Sequence, residues 1–190
     1  MQSEDGKHSV LKMFPTRPTW ARTRTAFEGN RYSIACDWRG DGEVFSYDEN
    51  RVLLRFRNEP TPKTLMYGWI RLPEFVVFSE NGSEALRFRR TRRLPRQLFP
   101  ILTAGNQVGQ LVQTSPFYTS YELDLANGTK WKLRLPLFTI GFFGTSSDGG
   151  RLLFWLKSHR LWHLVVEPKY DSTVLLASLA FIHREYLRHG

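Results

Sequence analysis

The stretch VLLASLAFI, Val174 to Ile182, is apolar on every side of a helix. A helix that is hydrophobic all round must be enclosed by protein or by lipid. This run falls short of the roughly 20 apolar residues needed to cross a bilayer. Almost everything before it reads as strands and tight turns, so the β part of the chain is expected to wrap it. Asp171 or Ser172 is the expected N-cap. Leu and Ala favour a helix from about Thr173 to Leu187. The basic residues that follow suit the negative end of the helix dipole. The polar half, His183 to Arg188, is expected to emerge from the enclosing sheet.

Upstream, turn dipeptides alternate with apolar runs: Asp41-Gly42, Asn81-Gly82, Gly105-Asn106, Asn127-Gly128 and Asp148-Gly149. Such pairs accept the positive φ that hairpin turns demand. From Asn81 onward they recur every 21 to 24 residues, the length of two strands and two connections. That is the rhythm of an antiparallel meander. Side chains alternate faces along a strand. Trp131, Leu133 and Leu135 oppose Lys132 and Arg134, Leu54 and Phe56 oppose Arg55 and Arg57, and Leu86 and Phe88 oppose Arg87 and Arg89. Each segment thus has one apolar and one basic face. Arg151 to Glu167 reads as two further strands, and Pro168 ends the pairing. Residues 1–30, with Pro15 and Pro18 and little periodicity, read as a tail or lead-in to a β domain over 31–190.

The chain has 190 residues, 41% hydrophobic and 14% aromatic, enough for one domain with a sizeable core. The single cysteine, Cys36, excludes a disulfide framework within the chain. The first residues lack the apolar h-region of a secretory signal. These features give the expectation of a soluble, cytoplasmic protein, at most peripheral to a membrane. The formal net charge of +9 favours anionic partners: phosphoinositide headgroups, acidic lipid, acidic protein or nucleic acid.

The order of a hairpin with a basic strand, then TAGNQVGQLVQ, WKLRLPLFTIGFF and SSDGGRLLFWLK, then an apolar strand and an apolar helix, resembles the Tubby C-terminal-like superfamily. Within it, the phospholipid scramblase and LURP-one-related branch is the most similar. The resemblance covers roughly residues 31 to 188. It implies a mainly β fold, a closed antiparallel β-barrel of about twelve strands around a central hydrophobic C-terminal α-helix. Tubby proteins bind phosphoinositides through basic residues on exposed strands, so the resemblance carries over that type of site without a residue-by-residue match. Scramblases carry an acidic calcium loop before the final helix. Here VEPKYDS offers only Glu167 and Asp171, far fewer oxygens than calcium takes. The palmitoylated cysteine cluster is missing as well. Calcium-dependent scrambling is therefore not expected.

The basic segment RFRRTRRLPR holds Arg87, Arg89, Arg90, Arg92, Arg93 and Arg96. Guanidinium forks match phosphate oxygens bidentately, so this cluster could grip a polyanionic headgroup. Lys130, Lys132 and Arg134 share a second strand face, and Arg55 and Arg57 a third. If those strands were neighbours, they would form a basic band outside the barrel. The bland alternative is a solvated exterior whose charges keep exposed strands from aggregating. Binding of single-stranded nucleic acid would also need exposed aromatics for stacking. Most aromatics here fall on apolar faces, with Phe117, Tyr118 and Tyr121 as the possible exceptions.

Catalytic motifs are lacking. His159 and His163 lie four apart in a strand, where that spacing gives no adjacent ligands, so no metal site is expected. Cys36 beside Asp37 reads as structural. There is no nucleophile elbow or Walker A motif, and no cofactor is expected. Gly68-Trp69 faintly resembles a lipocalin entrance, yet a helix filling the barrel leaves no ligand cavity. The expectation is a non-enzymatic module that binds an anionic lipid headgroup or membrane surface through an external basic patch. A structural or protein-interaction domain without a ligand is the first alternative, and nucleic-acid binding the second.

Overall fold

Alternating apolar and charged residues, punctuated by turns that tolerate positive φ, can only build a sheet with one greasy face, and a greasy face must be covered. The computed structural model describes residues 29–59, 74–89, 91–92, 97–115, 120–134, 142–158 and 160–189; residues 91–92, 142–143, 153–158 and 188–189 are described by backbone alone. The strands are β1 (Asn30–Cys36), β2 (Gly42–Ser46), β3 (Arg51–Glu59), β4 (Glu74–Ser79), β5 (Glu84–Phe88), β6 (Thr91–Arg92), β7 (Gln97–Thr103), β8 (Asn106–Gln113), β9 (Ser120–Leu125), β10 (Lys130–Arg134), β11 (Phe142–Ser146), β12 (Arg151–Ser158) and β13 (Leu161–Val166). A 3-10 turn, Pro168–Tyr170, leads into one helix, α1 (Thr173–His189).

Every pairing is antiparallel, and most join sequence neighbours. Two pairings close the ring: β1 with β13 and β5 with β7. The two-residue β6 hangs from β7, and the other twelve strands form the barrel. This is the closed barrel the sequence implied.

Three tight turns share one construction. In each, the residue that ends the strand accepts from the glycine three positions on and donates to the carbonyl four on: Ser79 with Gly82 and Ser83, Leu125 with Gly128 and Thr129, Ser146 with Gly149 and Gly150. Gly82, Gly128 and Gly149 have φ of 80°, 88° and 90°. This is a type I turn closed by a left-handed glycine. The turn after β1 is built likewise from Asp37 to Asp41, but its left-handed residue is Gly40, not the expected Gly42. Gly42 instead lies where an added Cβ would sit 2.0 Å from the Ala35 carbonyl oxygen and 2.5 Å from Phe56 Cζ. The Gly105 turn places Ala104 as well at positive φ.

The lumen is filled. Leu175, Leu176, Ala177, Leu179, Ala180, Phe181 and Ile182 of α1 form one core with Ile34, Val44, Phe56, Phe75, Phe88, Phe99, Leu111, Leu123, Trp131, Leu133, Leu152, Trp162 and Leu164 of the wall. Phe181 sits at its centre, with ring centroids 5.3 Å from Phe75, 5.0 Å from Phe88 and 4.7 Å from Phe99. Seventeen helical residues span about 26 Å, enough to run from one mouth of the barrel to the other. Ser172 is the N-cap: its hydroxyl accepts from the Leu175 amide at 3.2 Å. Asp171 is occupied otherwise, accepting from Asn30 Nδ2 at 2.6 Å and from the Tyr32 hydroxyl.

The expectation that the helix becomes solvent-exposed at His183 is corrected. His183, Arg184 and Glu185 are buried. Arg184 pairs with its neighbour Glu185 and donates to Asn58 Oδ1. His183 stacks on Trp162 at 4.3 Å. The opposite charges of Arg184 and Glu185, with Asn58 as a further acceptor, favour keeping this segment inside.

The two mouths differ. One carries the tight turns after β2, β4, β7, β9 and β11 and the start of α1; call it the turn end. The other, the loop end, carries the turn after β1, the C-terminal ends of β3, β5, β8, β10 and β12, and the end of α1.

Candidate functional site

Alternation places the expected basic residues on the outer wall, and the register decides what each meets. On β5, Arg87 lies between β4 and β7. Its guanidinium reaches Glu84 at 2.6 Å, Glu74 at 2.8 Å and Glu59 at 3.2 Å. The hydrogen bonds to Glu84 and Glu74 hold it firmly protonated, and Arg87 in turn pulls the Glu84 carboxyl below its usual range. Arg89 reaches Glu74 at 3.1 Å. Arg55 pairs with Glu43, and Arg57 with Glu59, its guanidinium also lying over the Phe78 ring. The β3–β4–β5 wall is thus a lattice of opposite charges. Val76, flanked in register by Arg57 and Arg87, is fully buried although it faces outward. The aliphatic stems of those arginines can account for that cover.

The single basic band is therefore corrected. Strand β4 separates β3 from β5. β10 lies six strands from β3 and, by the shorter way round, four from β5. With about 4.8 Å between strands and a tilt of about 40°, twelve strands enclose a ring about 24 Å across. The β10 face looks away from the arginine lattice.

On β10, Lys130, Lys132 and Arg134 project outward as expected, while Trp131 and Leu133 face the core. Lys130 stands 3.6 Å from Asp124. Lys132 and Arg134 are exposed and make no ion pair among the described residues. Arg134 ends its strand at the loop end. Arg92 reaches the same end as part of β6, as does Arg89 just after β5. Arg90, Arg93 and Arg96 lie outside the described residues, as do Phe117, Tyr118, His159, Gly68 and Trp69.

The other expectations resolve as follows. Tyr121 is a core residue, not an exposed stacking platform. Cys36 is buried, and that burial foremost, with Asp37 beside it, pushes its thiol up to about 12. His163 Nδ1 lies 2.8 Å from the Ser33 hydroxyl, which also meets Tyr47 at 2.7 Å. A serine beside a histidine invites a catalytic reading, but Ser33 and His163 are both buried, 0% and 2% exposed, so no substrate reaches them. Among the described residues no group of three or more His, Cys, Asp or Glu could hold a metal, and no helix is long and apolar enough to cross a membrane. At the turn end, a groove of about 500 Å³ lies between Trp131, Tyr170, Lys169 and Val174.

Reading the sequence alone missed one surface residue. Trp38, in the turn after β1, is 75% exposed, the one exposed large hydrophobic among the described residues. Its place directly before Arg39-Gly40 was the available signal.

No protein-family model matches this chain, and no curated protein does. Among solved structures it is similar to a protein from Arabidopsis thaliana, with 10% identity and a TM-score of 0.51, over 83% of this chain and 91% of that one. At that identity the likeness is one of fold, and it extends over most of both chains.

Proposed function

We propose that this chain is a non-enzymatic binding module of the Tubby-like kind, nearest the scramblase and LURP-one-related branch, that docks on an anionic membrane surface bearing phosphoinositide. A lumen occupied by α1 puts recognition on the outside. The observation that carries the reading is the contrast between two outer walls. Arg55, Arg57, Arg87 and Arg89 are engaged by carboxylates, whereas Lys132 and Arg134 stand exposed without one among the described residues. Cations already paired offer little to a phosphate, and unpaired ones offer their full charge. The working face is thus β10 with the loop end beside it, where Arg92 also arrives.

The test is co-sedimentation with liposomes at near-physiological salt. Matched vesicles carry either phosphoinositide or an equal charge of phosphatidylserine. Wild type is compared with Lys132→Ala/Arg134→Ala and with Arg89→Ala/Arg92→Ala. Headgroup-selective binding that is lost in the first variant supports the reading. Absent binding, or binding that tracks total charge and survives both variants, sinks it in favour of a protein-interaction domain. The charge lattice on β3–β5 favours that second reading for its own wall, since it satisfies the charges internally.

A further inference from the structure

A tryptophan held 75% in water on a tight turn is costly, because the indole is among the largest apolar groups a chain can expose. A floppy loop could fold such a residue away, but this one is braced. The Asp37 carboxylate accepts from the Arg39 and Asp41 amides at 2.8 and 2.9 Å. The backbone closes twice more, Asp37 to Asp41 at 2.8 Å and Gly40 to Asp37 at 3.1 Å. Asn58 then ties the turn to β3, its side-chain amide donating to the Arg39 carbonyl at 2.9 Å and its backbone amide donating to Asp41 Oδ1 at 3.1 Å. Asn58 Oδ1 in turn receives Arg184 of α1. Gly40 has no room for a side chain: a Cβ there would meet Asn58 Nδ2 at 2.7 Å. A ladder of hydrogen bonds thus runs from the buried Arg184–Glu185 pair up to the tip, and it fixes the indole outward.

The surroundings suit one kind of occupant. Arg39 lies over the ring, its guanidinium carbon 4.8 Å from the centroid. Arg160, exposed, follows in the adjoining turn, where its carbonyl accepts from Cys36. The nearby acids Asp37 and Asp41 each accept from backbone amides through one carboxylate oxygen. Trp38 and Arg39 sit on the loop end, the end at which Arg134, Arg89 and Arg92 also arrive. An indole with an arginine over its face matches the boundary of an anionic bilayer, where the ring enters the acyl margin and the guanidinium meets phosphate. We infer that the Trp38–Arg39 tip is the apolar anchor by which the barrel docks, loop end down, on an anionic bilayer. This rests on the membrane reading above and assigns the residue that inserts.

The test uses the full chain and vesicles of phosphatidylcholine with phosphatidylserine and phosphoinositide, with and without brominated acyl chains, alongside pure phosphatidylcholine. Wild type should bind the anionic vesicles, and the brominated lipid should quench part of the fluorescence of its six tryptophans, Trp38's share being the difference between wild type and Trp38→Ala, while Trp131 and Trp162 are buried in the core. Trp38→Ala should lose about tenfold in affinity, the scale of a truncated anchor, and lose that share of the quenching. Trp38→Phe should retain most of the affinity. Lys132→Ala/Arg134→Ala should weaken binding without altering the depth of quenching in the bound fraction. Trp38 is largely exposed, so thermal melts of the variants should match wild type. If Trp38→Ala binds and is quenched as wild type is, the anchor is overturned while the membrane reading stands, and a protein partner becomes the fit for the tip. If wild type binds no vesicle of either kind, both fall together.

Discussion

Truncating Phe181 to alanine tests whether the barrel is truly built on its helix. The ring is buried, 3% exposed, and touches Phe75, Phe88 and Phe99 on three strands of one wall. Removing a buried Phe costs about 3–5 kcal/mol, the upper part when the site cannot collapse. Here collapse is prevented, because β4, β5 and β7 are held in place by their ladders. Three aromatic pairs worth about 0.5–1.5 kcal/mol each also vanish, partly counted already in the packing loss. The expected loss is about 4–5 kcal/mol, a large part of a typical domain's stability. With a urea slope of about 2.5 kcal/mol/M, the unfolding midpoint should fall by about 1.6–2 M. The cavity is lined by phenyl rings, so benzene should enter it and return part of the lost stability, as dry apolar cavities allow. Phe181→Leu should cost only about 1.5 kcal/mol. A midpoint shift under about 0.5 M for the alanine variant, with no benzene effect, would refute a helix inside the barrel.

Other perturbations follow the same logic. Arg184→Met alone leaves Glu185 buried with its nearest charge removed and should cost about 3–5 kcal/mol, while Arg184→Met/Glu185→Leu should cost much less than the two single changes added together; a urea double-mutant cycle giving no coupling would contradict the buried pair. Ser172→Ala should remove the helix cap at about 1 kcal/mol, a drop of about 2–4 °C in Tm by calorimetry. Alkaline stability should fall in a defined window. Burial raises both the Cys36 thiol, to about 12, and the Tyr32 phenol, which also donates to Asp171. The native state therefore keeps protons that the unfolded chain releases above about pH 8.5 and pH 10, so stability is full below that range and declines as pH rises through it. Urea midpoints from pH 7 to 11 check this, and a flat profile contradicts it. The same burial predicts that a disulfide reagent at pH 8 leaves Cys36 unmodified until urea unfolds the protein.

Much of the fold was legible because it depends on local patterns. The alternation of Trp131, Lys132, Leu133 and Arg134 appears unchanged in the burial of β10. The left-handed glycines Gly82, Gly128 and Gly149 announce their turns through the Asn or Asp before them. Gly42 misled because its dipeptide matches that signal while its real constraint, the nearness of Ala35 and Phe56, is tertiary. His183 to Glu185 misled for a related reason. Charges read singly predict solvent, and the partner that helps keep Arg184 inside, Asn58, is 126 residues away. The site was less legible still. Arg87 looks free until β3 and β4 bring Glu59 and Glu74 to it. Whether basic strands share a surface depends on how many strands stand between them around the ring, and no local pattern records that number.

The placement of the helix after every strand of the wall has a consequence for biosynthesis. The wall strands pair mostly with sequence neighbours and can form hairpins as they leave the ribosome, which hands over residues at about 5–20 per second. The ring closes only when β13 meets β1, across 130 residues between His163 and Ser33, and the lumen fills only when α1 follows. Until then the nascent chain carries a greasy, half-curled sheet with nothing inside it and two open edges. Closure and filling of the barrel are therefore the last steps in the order in which these elements are made. Truncation before Thr173 would leave a complete wall without its filling, a species whose expected fates are aggregation and proteolysis.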